Sequence, residues 1–483
     1  MIRGILLTIV IFLILRLPGI YRDIMLIGFA VLCIILAMFK FKSVWITFLL
    51  LLPSISLGTS IFGQPKVTIL RVLLLGFTIL FIITKKSSWF IKSLSKSNGF
   101  CCFGLFVFAN LLSAIHAWNI EAFYRAATYL EPLLFYVLSY YLVVKSSDNL
   151  PKILRAIILG GIIVGTIGVF EVAIQQSIFS FLNVCNDNNV MAYYDEDRFG
   201  LGGRISSLIA NPVYASIYLI VVLIVSLHYV NVYKRSKLIQ LILILAGIFL
   251  VLATGTRAAI FSLLAASICF VIFSVGRVNG YRAFSLAMVF AALTVSIIMP
   301  NVMLYLDFSF LLDVREVASR NVMGRLILTQ EFIEIFRENF IFGYGPGLIQ
   351  KEGLSGYLPA VPGIETLGGL ENQYATILAD GGIIAGFTYL LFMVSVIWQS
   401  LKMRNHQNPK IRWAGLTLLS LFTAYFTFAV SATTLTLIPN LILMGTYGAL
   451  FAQYDREMFA KSSFLETSIN PNRGTHIFPD QKG

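Results

Sequence analysis

A chain of 483 residues that is 58% hydrophobic and only 12% charged, with a mean hydropathy of +0.85, cannot cover a soluble globule with a water-compatible surface. The net charge of +13 arises mainly from lysines grouped in short loops and from scattered arginines, a distribution that gives no reason to invoke nucleic acid. Of the five cysteines, Cys33, Cys101, Cys102 and Cys269 fall in apolar runs and Cys185 in a loop, which excludes a disulfide framework.

Apolar runs of membrane-spanning length are expected near 4–16, 24–39, 43–57, 68–84, 100–115, 128–144, 156–175, 207–231, 238–253, 258–275, 283–305, 373–398, 413–434 and 437–453. The fold class is therefore an all-α polytopic integral membrane protein with about 12–14 transmembrane helices, a single membrane domain over 1–453. The first run lacks a small-residue cleavage site, so it reads as an uncleaved helix. Gly161 and Gly165 sit one helical turn apart, a spacing that serves helix packing.

Short loops rich in Lys and Arg stay in the cytoplasm. Placing the N-terminus inside puts Lys40 and Lys42, Lys85 to Lys96, Lys145 to Arg155, Lys234 to Lys237, Arg277 and Arg282, Lys402 to Arg412 and the tail on that side. Apart from Lys66 and Lys351, the remaining cations are arginines on the outer side. Topology does not require them there. A guanidinium offers a planar fork for carboxylate or phosphate, where lysine is a point charge.

Three outer segments carry these arginines. The first, His116 to Thr128, contains Arg125; Arg125 with Glu131 and Glu171 reads as an ion-paired group at the outer ends of neighbouring spans, while His116 has an interfacial role. The second, Gln176 to Ser206, contains the acids Asp195 to Asp197, read as solvated, together with Arg198 and Arg204. Asn211-Pro212 follows Arg204 and is expected to loosen the next helix near its outer end. Arg257 stands on a very short turn, Thr254-Gly255-Thr256-Arg257, at the membrane boundary. The third segment, an extracytoplasmic loop over 306–372, holds an expected amphipathic helix, Val322 to Glu338, with Arg325 near its start. It continues into Phe342-Gly343-Tyr344-Gly345-Pro346-Gly347 and ends at Glu371-Asn372 before the next span. Such length exceeds what a connection needs and marks a functional loop. Arg204, Arg257 and Arg325 each have an ordinary reading as headgroup or solvent contacts, but together they could converge on a lipid-linked diphosphate. Glu371 and Asn372 can supply a general base or cap a helix. Asp380, within the span, needs a partner or cavity at the Gly381-Gly382 break and reads as structural. Beyond Tyr454, residues 454–483 read as a disordered cytoplasmic tail.

The order of these pieces resembles the O-antigen polymerase and ligase superfamily of bacterial envelope glycosyltransferases, O-oligosaccharyltransferases included. The matching residues are Gly203-Arg204 through Asn211-Pro212, Thr254 through Ala259, Gly324-Arg325 through Gly343 to Gly347, and Glu371-Asn372-Gln373-Tyr374-Ala375 through Gly382 to Gly386. The resemblance implies a GT-C-like, inverting, metal-independent transferase without cofactor, in the bacterial cytoplasmic membrane with its active site facing outward. It implies that Arg204, Arg257 and Arg325 hold diphosphate or sugar and that the acceptor needs a base; taken with the residues themselves, the candidate catalytic set is Glu371, Arg204 and Arg325 and the candidate substrate-binding set Arg257, Arg125, Asn211, Asn372, Tyr344 and Arg198. The partners implied are an undecaprenyl-diphosphate-linked glycan, membrane lipid, and a chain-length regulator and flippase of the same pathway. Glu371 stands where the related ligases carry histidine, a departure that favours a polysaccharide polymerase. A ligase or O-oligosaccharyltransferase acting on lipid A core or protein is the alternative, and a lipid-linked-glycan flippase or exporter is the second.

Overall fold

The computed structural model describes residues 10–11, 13–14, 17, 19–55, 60–61, 64–84, 97–174, 176, 178, 205, 207–209, 211–234, 236–274, 336–348, 372–430, 432 and 438–469. In chain order these form α1 (Gly19–Ile55), a two-stranded hairpin of β1 (Ser60–Ile61) and β2 (Gln64–Thr68), α2 (Ile69–Thr84), α3 (Asn98–Ala117), α4 (Ile120–Thr128), α5 (Leu130–Lys145) and α6 (Asn149–Ile174). They continue with α7 (Pro212–Tyr229) and its π-turn Val230–Lys234, α8 (Lys237–Ala253), α9 (Arg257–Ser274), α10 (Gln373–Arg404), α11 (Pro409–Ala429) and α12 (Ile438–Ile469).

Among the described residues eight helices are long and apolar enough to cross a membrane, and Ile69–Ile83 and Leu238–Ala253 are shorter apolar helices. The all-α polytopic class therefore stands. Helices dominate because hydrocarbon offers no hydrogen-bond partner to a backbone N–H or carbonyl, so each segment must satisfy its own. The antiparallel hairpin, with Ser60 opposite Thr68, is an addition that hydropathy alone does not reveal. The runs expected at 24–39 and 43–57 form one helix, α1, broken at Lys40 (φ −134°, ψ 50°), the first of the two lysines expected to part them. The expected span at 283–305 and most of 4–16 lie outside the described residues.

Small residues set the helix spacing. A Cβ on Gly161 would come within 2.2 Å of Val222 on α7, and one on Gly165 within 2.9 Å of Leu250 on α8, so the expected glycine pair is a packing face. On α12, Gly448 lets the backbone meet the Tyr136 carbonyl of α5. Between them an aromatic slab fills the interior: Phe103 and Phe392 are 5.0 Å apart, Phe106 and Tyr389 5.2 Å, Tyr136 and Tyr447 5.0 Å.

Three pairings show which helix ends share a side. The Ile205 N–H donates to the Ala253 carbonyl (3.1 Å), tying the start of α7 to the end of α8. At the other end, Tyr140 Oη donates to Asp455 (2.5 Å), and the Arg404 guanidinium donates to the Phe273 carbonyl (2.5 Å). The ends therefore alternate as successive crossings require. Lys145, Lys234, Lys237, Lys402 and Lys410 gather at the second end, whereas Arg125 and Arg257 belong to the first. Asp455, with Arg456 donating to the Val143 and Val144 carbonyls (3.2 and 3.1 Å), also anchors α12 beyond Tyr454. That helix runs to Ile469, past the expected start of the tail.

The element that shapes the first end is the break in α10. Gly382 adopts φ 64°, ψ −166°, a conformation open to glycine alone, and interrupts the helix two residues after Asp380. The expected break at Gly381-Gly382 is present. The backbone groups it releases are taken up by residues 339–345: the Tyr344 and Gly345 N–H groups donate to the Ala379 and Asp380 carbonyls (both 2.9 Å), and the Ile383 N–H donates to the Phe340 carbonyl (2.9 Å). A Cβ on Gly382 would lie 2.2 Å from the Ile341 carbonyl oxygen. Gly382→Ala is expected to cost at least about 2 kcal/mol, from backbone strain and this clash together. Gly28→Ala, whose Cβ would meet nothing within 4 Å, should be harmless. Thermal unfolding of the two purified variants checks this, and equal melting temperatures would mean that the turn does not depend on the break.

Candidate functional site

Two junctions at the arginine-bearing end carry the expected residues. The first is organised by Glu171 near the end of α6, fully buried. One carboxylate oxygen accepts the Ile178 N–H (2.9 Å) and the other the Ser207 N–H (2.8 Å). Ser207 has a positive φ of 48°, rare for a residue with a side chain, and its hydroxyl donates to the Val164 carbonyl (2.6 Å). Glu171 thus holds the backbone at Ile178 and Ser207, not Arg125, which corrects its expected grouping with Arg125 and Glu131. Low dielectric makes such charge-assisted bonds strong and makes their loss costly.

The segment fixed by Glu171 is laid against the turn between α8 and α9. Besides the Ile205 to Ala253 bond, the Thr256 hydroxyl reaches the Pro212 carbonyl (3.4 Å) at the start of α7. Gly255 (φ 63°) makes the reversal possible, its N–H donating to the Leu252 carbonyl (2.9 Å). Arg257 is the first residue of α9 and is partly exposed, in keeping with a side chain held at the helix boundary. Asn211 is the N-cap of α7: its side-chain oxygen accepts the Val213 N–H (2.8 Å), and Pro212 occupies the first turn, where its missing N–H costs no helix bond. The expectation that Asn211-Pro212 loosens a helix is therefore corrected. The pair starts one.

The second junction surrounds the docked turn. The Asp380 carbonyl accepts the Ser113 hydroxyl (2.6 Å) from α3 and the Gly345 N–H (2.9 Å), and its side chain is buried at this junction. His116 at the end of α3 stacks against Phe342, ring centroids 5.1 Å apart, so its interfacial place includes an aromatic partner. Gly345 (φ 103°) fits against Ala117 and Ala122, where a Cβ would be 2.6 Å and 3.2 Å away. Arg125 on α4 lies along Gly347, with Glu121 at 3.7 Å one helical turn before it. Tyr344 bonds to Glu338 through its hydroxyl, and Asn372 caps α10 by accepting the Tyr374 and Ala375 N–H groups (2.9 and 3.3 Å).

The expected carboxylate for Arg125 was Glu131, but Glu131 pairs with Arg71 of α2 (2.7 Å), which also bonds and stacks on Tyr124. Arg71 was visible as an outer arginine in the sequence, yet its partners sit far along the chain and carry no local signal. Arg198, Arg204, Arg325 and Glu371 lie outside the described residues, as do Asp195 to Asp197 and most of the expected amphipathic helix 322–338. The structure ties Ile205, the neighbour of Arg204 in sequence, to Ala253 at the turn that leads to Arg257, and brings Arg125 beside the docked turn.

Residues 241–390 match a family model described as O-antigen ligase. Over that stretch, somewhat under a third of the chain, the sequence is similar to the O-antigen ligase family. Members of this family are membrane enzymes of glycosyl transfer, and the many apolar helices make the chain a multi-pass membrane protein. No curated protein matches the chain. The matched stretch contains Arg257, Arg325, Tyr344, Glu371, Asn372 and Asp380, and ends in α10 beyond its break. Arg125, Arg198, Arg204 and Asn211 precede it.

Glu171→Gln replaces one acceptor oxygen by an amide that faces a backbone N–H, so it is expected to destabilise by about 1–3 kcal/mol. Thermal unfolding of purified protein measures this; an unchanged midpoint would show that the carboxylate does not hold Ile178 and Ser207.

Proposed function

We propose that the protein is a polysaccharide polymerase that joins undecaprenyl-diphosphate-linked repeat units of an O-antigen, capsule or other surface glycan on the outer face of the bacterial cytoplasmic membrane. The observation that carries this reading is the bond from the Ile205 N–H to the Ala253 carbonyl, which lays the residue after Arg204 on the turn that ends in Arg257. Two guanidinium-bearing segments from separate parts of the chain thereby share one boundary of the membrane. A lipid-linked diphosphate, anionic and held at that depth by its own tail, is the ligand that suits such a place.

In the proposed reaction an acceptor hydroxyl of one repeat unit attacks the anomeric carbon of the other from the face opposite the diphosphate. The carbon–oxygen bond to the diphosphate breaks, undecaprenyl diphosphate departs with the electron pair, and the new glycosidic bond has inverted configuration. Arg204, Arg257 and Arg325 neutralise the charge that grows on the leaving group. Glu371 takes the proton of the attacking hydroxyl. It immediately precedes Asn372 in sequence, whose side chain caps the N-terminus of α10. Arg125, Arg198, Asn211, Asn372 and Tyr344 line the glycan and diphosphate. A flippase and a chain-length regulator of the same pathway are the natural partners.

A second reading, transfer of finished glycan to lipid A core or protein, is favoured by the description of the matching family as O-antigen ligase. Reconstitution with a defined undecaprenyl-diphosphate-linked repeat unit separates the two. Polymer should form from that substrate alone, and Arg257→Ala should lower kcat/KM by on the order of 100-fold, the loss of one or two charge-assisted contacts to the leaving group. Glu371→Gln should lower kcat with little change in KM. Product formed only when lipid A core or protein is supplied would replace polymerisation by ligation.

A further inference from the structure

We propose that the first half of α10 is folded back on the second, and that Gln373 is the positioning residue that clamps it there and so sets where the acceptor base is carried. The proposal rests on the reading of the start of α10 as the carrier of that base and deepens it.

Gln373 and Tyr389 lie on opposite sides of the break at Gly382, yet Gln373 Nε2 donates to Tyr389 Oη (2.5 Å). The rings of Tyr374 and Tyr389 are also close, with centroids 6.1 Å apart. In an unbroken helix residues 373 and 389 would stand about 24 Å apart, beyond the combined reach of the two side chains. Nearer the break the same return is visible: a Cβ on Gly386 would run into Leu378 Cδ2, although a straight helix separates these two backbones by about 12 Å. Both contacts require a sharp reversal at Gly382. Ile383 to Arg404 rises about 33 Å, enough to cross the hydrocarbon core alone, so the first half is surplus to the crossing. None of Gln373 to Gly381 is exposed, whereas Ile383, Phe387, Leu390 and Val394 of the second half are. Tyr389 packs on Phe106 of α3, well inward of Ser113, which holds the Asp380 carbonyl at the break. The start of α10 is thus drawn in toward Tyr389 instead of standing about 14 Å beyond the break.

So short a helix is marginal by itself, and the glycine that joins it to the second half is a permissive pivot, so its tip depends on ties to the rest of the bundle. Gln373, fully buried, supplies them in two directions. Its amide nitrogen reaches the second half of α10 at Tyr389, and its carbonyl oxygen accepts the Tyr425 hydroxyl of α11 (3.5 Å). Next to it, Tyr374 Oη donates to the Phe426 carbonyl of α11 (2.7 Å). Both ends of the Gln373 carboxamide are engaged by tyrosines, so this residue acts through the placement of the helix start and not by touching substrate. A tip displaced by a fraction of a turn would carry the base away from the attacking hydroxyl, a cost paid in the chemical step and not in donor binding.

The test uses full-length protein. With Leu378→Cys and Gly386→Cys together, mild oxidation should join the pair, read by mass spectrometry as the loss of two hydrogens from one peptide. Gly386→Cys with Val394→Cys has the same sequence separation but lies within the second half, and should stay reduced. Oxidation of neither pair, or of both alike, overturns the folded-back arrangement. In protein reconstituted with a defined undecaprenyl-diphosphate-linked repeat unit, Gln373→Leu should lower kcat roughly tenfold, the loss of one buried hydrogen-bonded contact, with the donor KM nearly unchanged. Tyr389→Phe should act in the same direction, and the double variant should be no slower than Gln373→Leu alone. Losses that multiply in the double variant, or a raised KM at unchanged kcat, overturn the positioning role even if the disulfide forms. Wild type that transfers nothing from this donor overturns the functional reading, while the disulfide pair still decides the fold of α10.

Discussion

The constraint on which this structure turns is that a backbone in hydrocarbon must find all its hydrogen bonds within the protein. A continuous helix meets the demand by itself, and most of the chain does so. Where α10 breaks at Gly382, carbonyls of Ala379 and Asp380 and the N–H of Ile383 lose their helical partners at once. The turn 339–347 supplies replacements in a strand-like exchange, so this segment packs directly onto the broken helix. That exchange requires positive-φ glycines on both sides, at 343, 345 and 347 in the turn and at 382 in the helix. A side chain at either contact face would push the two backbones apart.

Buried carboxylates play the complementary part. Glu171 is wholly withdrawn from solvent, and its two oxygens accept main-chain N–H groups of irregular segments. Charge burial is costly, and hydrogen bonds that a neutral side chain would make more weakly offset it. The gain is placement. Glu171 locks the backbone that leads into α7 and leans on the Arg257 turn. Arg71 and Glu131 use the other solution, a mutual ion pair that joins α2 to α5.

How much of this could be read beforehand follows from which interactions are local. Helix class and most spans were legible because apolar length is a property of a contiguous stretch. The break at Gly381-Gly382 and the cap at Asn372 were legible for the same reason, since glycine and asparagine act on their own backbone. The Asn211-Pro212 pair was misread because proline both disrupts a helix interior and suits a first turn, and only the preceding coil shows which applies. Pairings were the least legible. Arg71 with Glu131, Glu171 with Ser207 and His116 with Phe342 join residues far apart in sequence, and a charge pattern does not reveal which carboxylate meets which backbone. The candidate catalytic set was readable only as an order of motifs, and the described residues reach two of its anchoring points, Arg257 and the helix start after Glu371.

The family match over 241–390 acquires a physical meaning from these pairings. The matched stretch is not a self-contained unit. Its Ala253 carbonyl is taken by Ile205, its Asp380 carbonyl by Ser113, and its Gly347 backbone is covered by Arg125, all three partners lying in the earlier part of the chain. Each contact occurs at a turn or break, where the matched stretch has backbone groups that its own helices cannot satisfy. The earlier helices are therefore required to complete the same end of the molecule that the matched residues begin. They can vary in sequence as long as they deliver an N–H, a hydroxyl and a cationic stem at those points, because the matched partner in each case is main chain and places no demand on side-chain identity beyond reach.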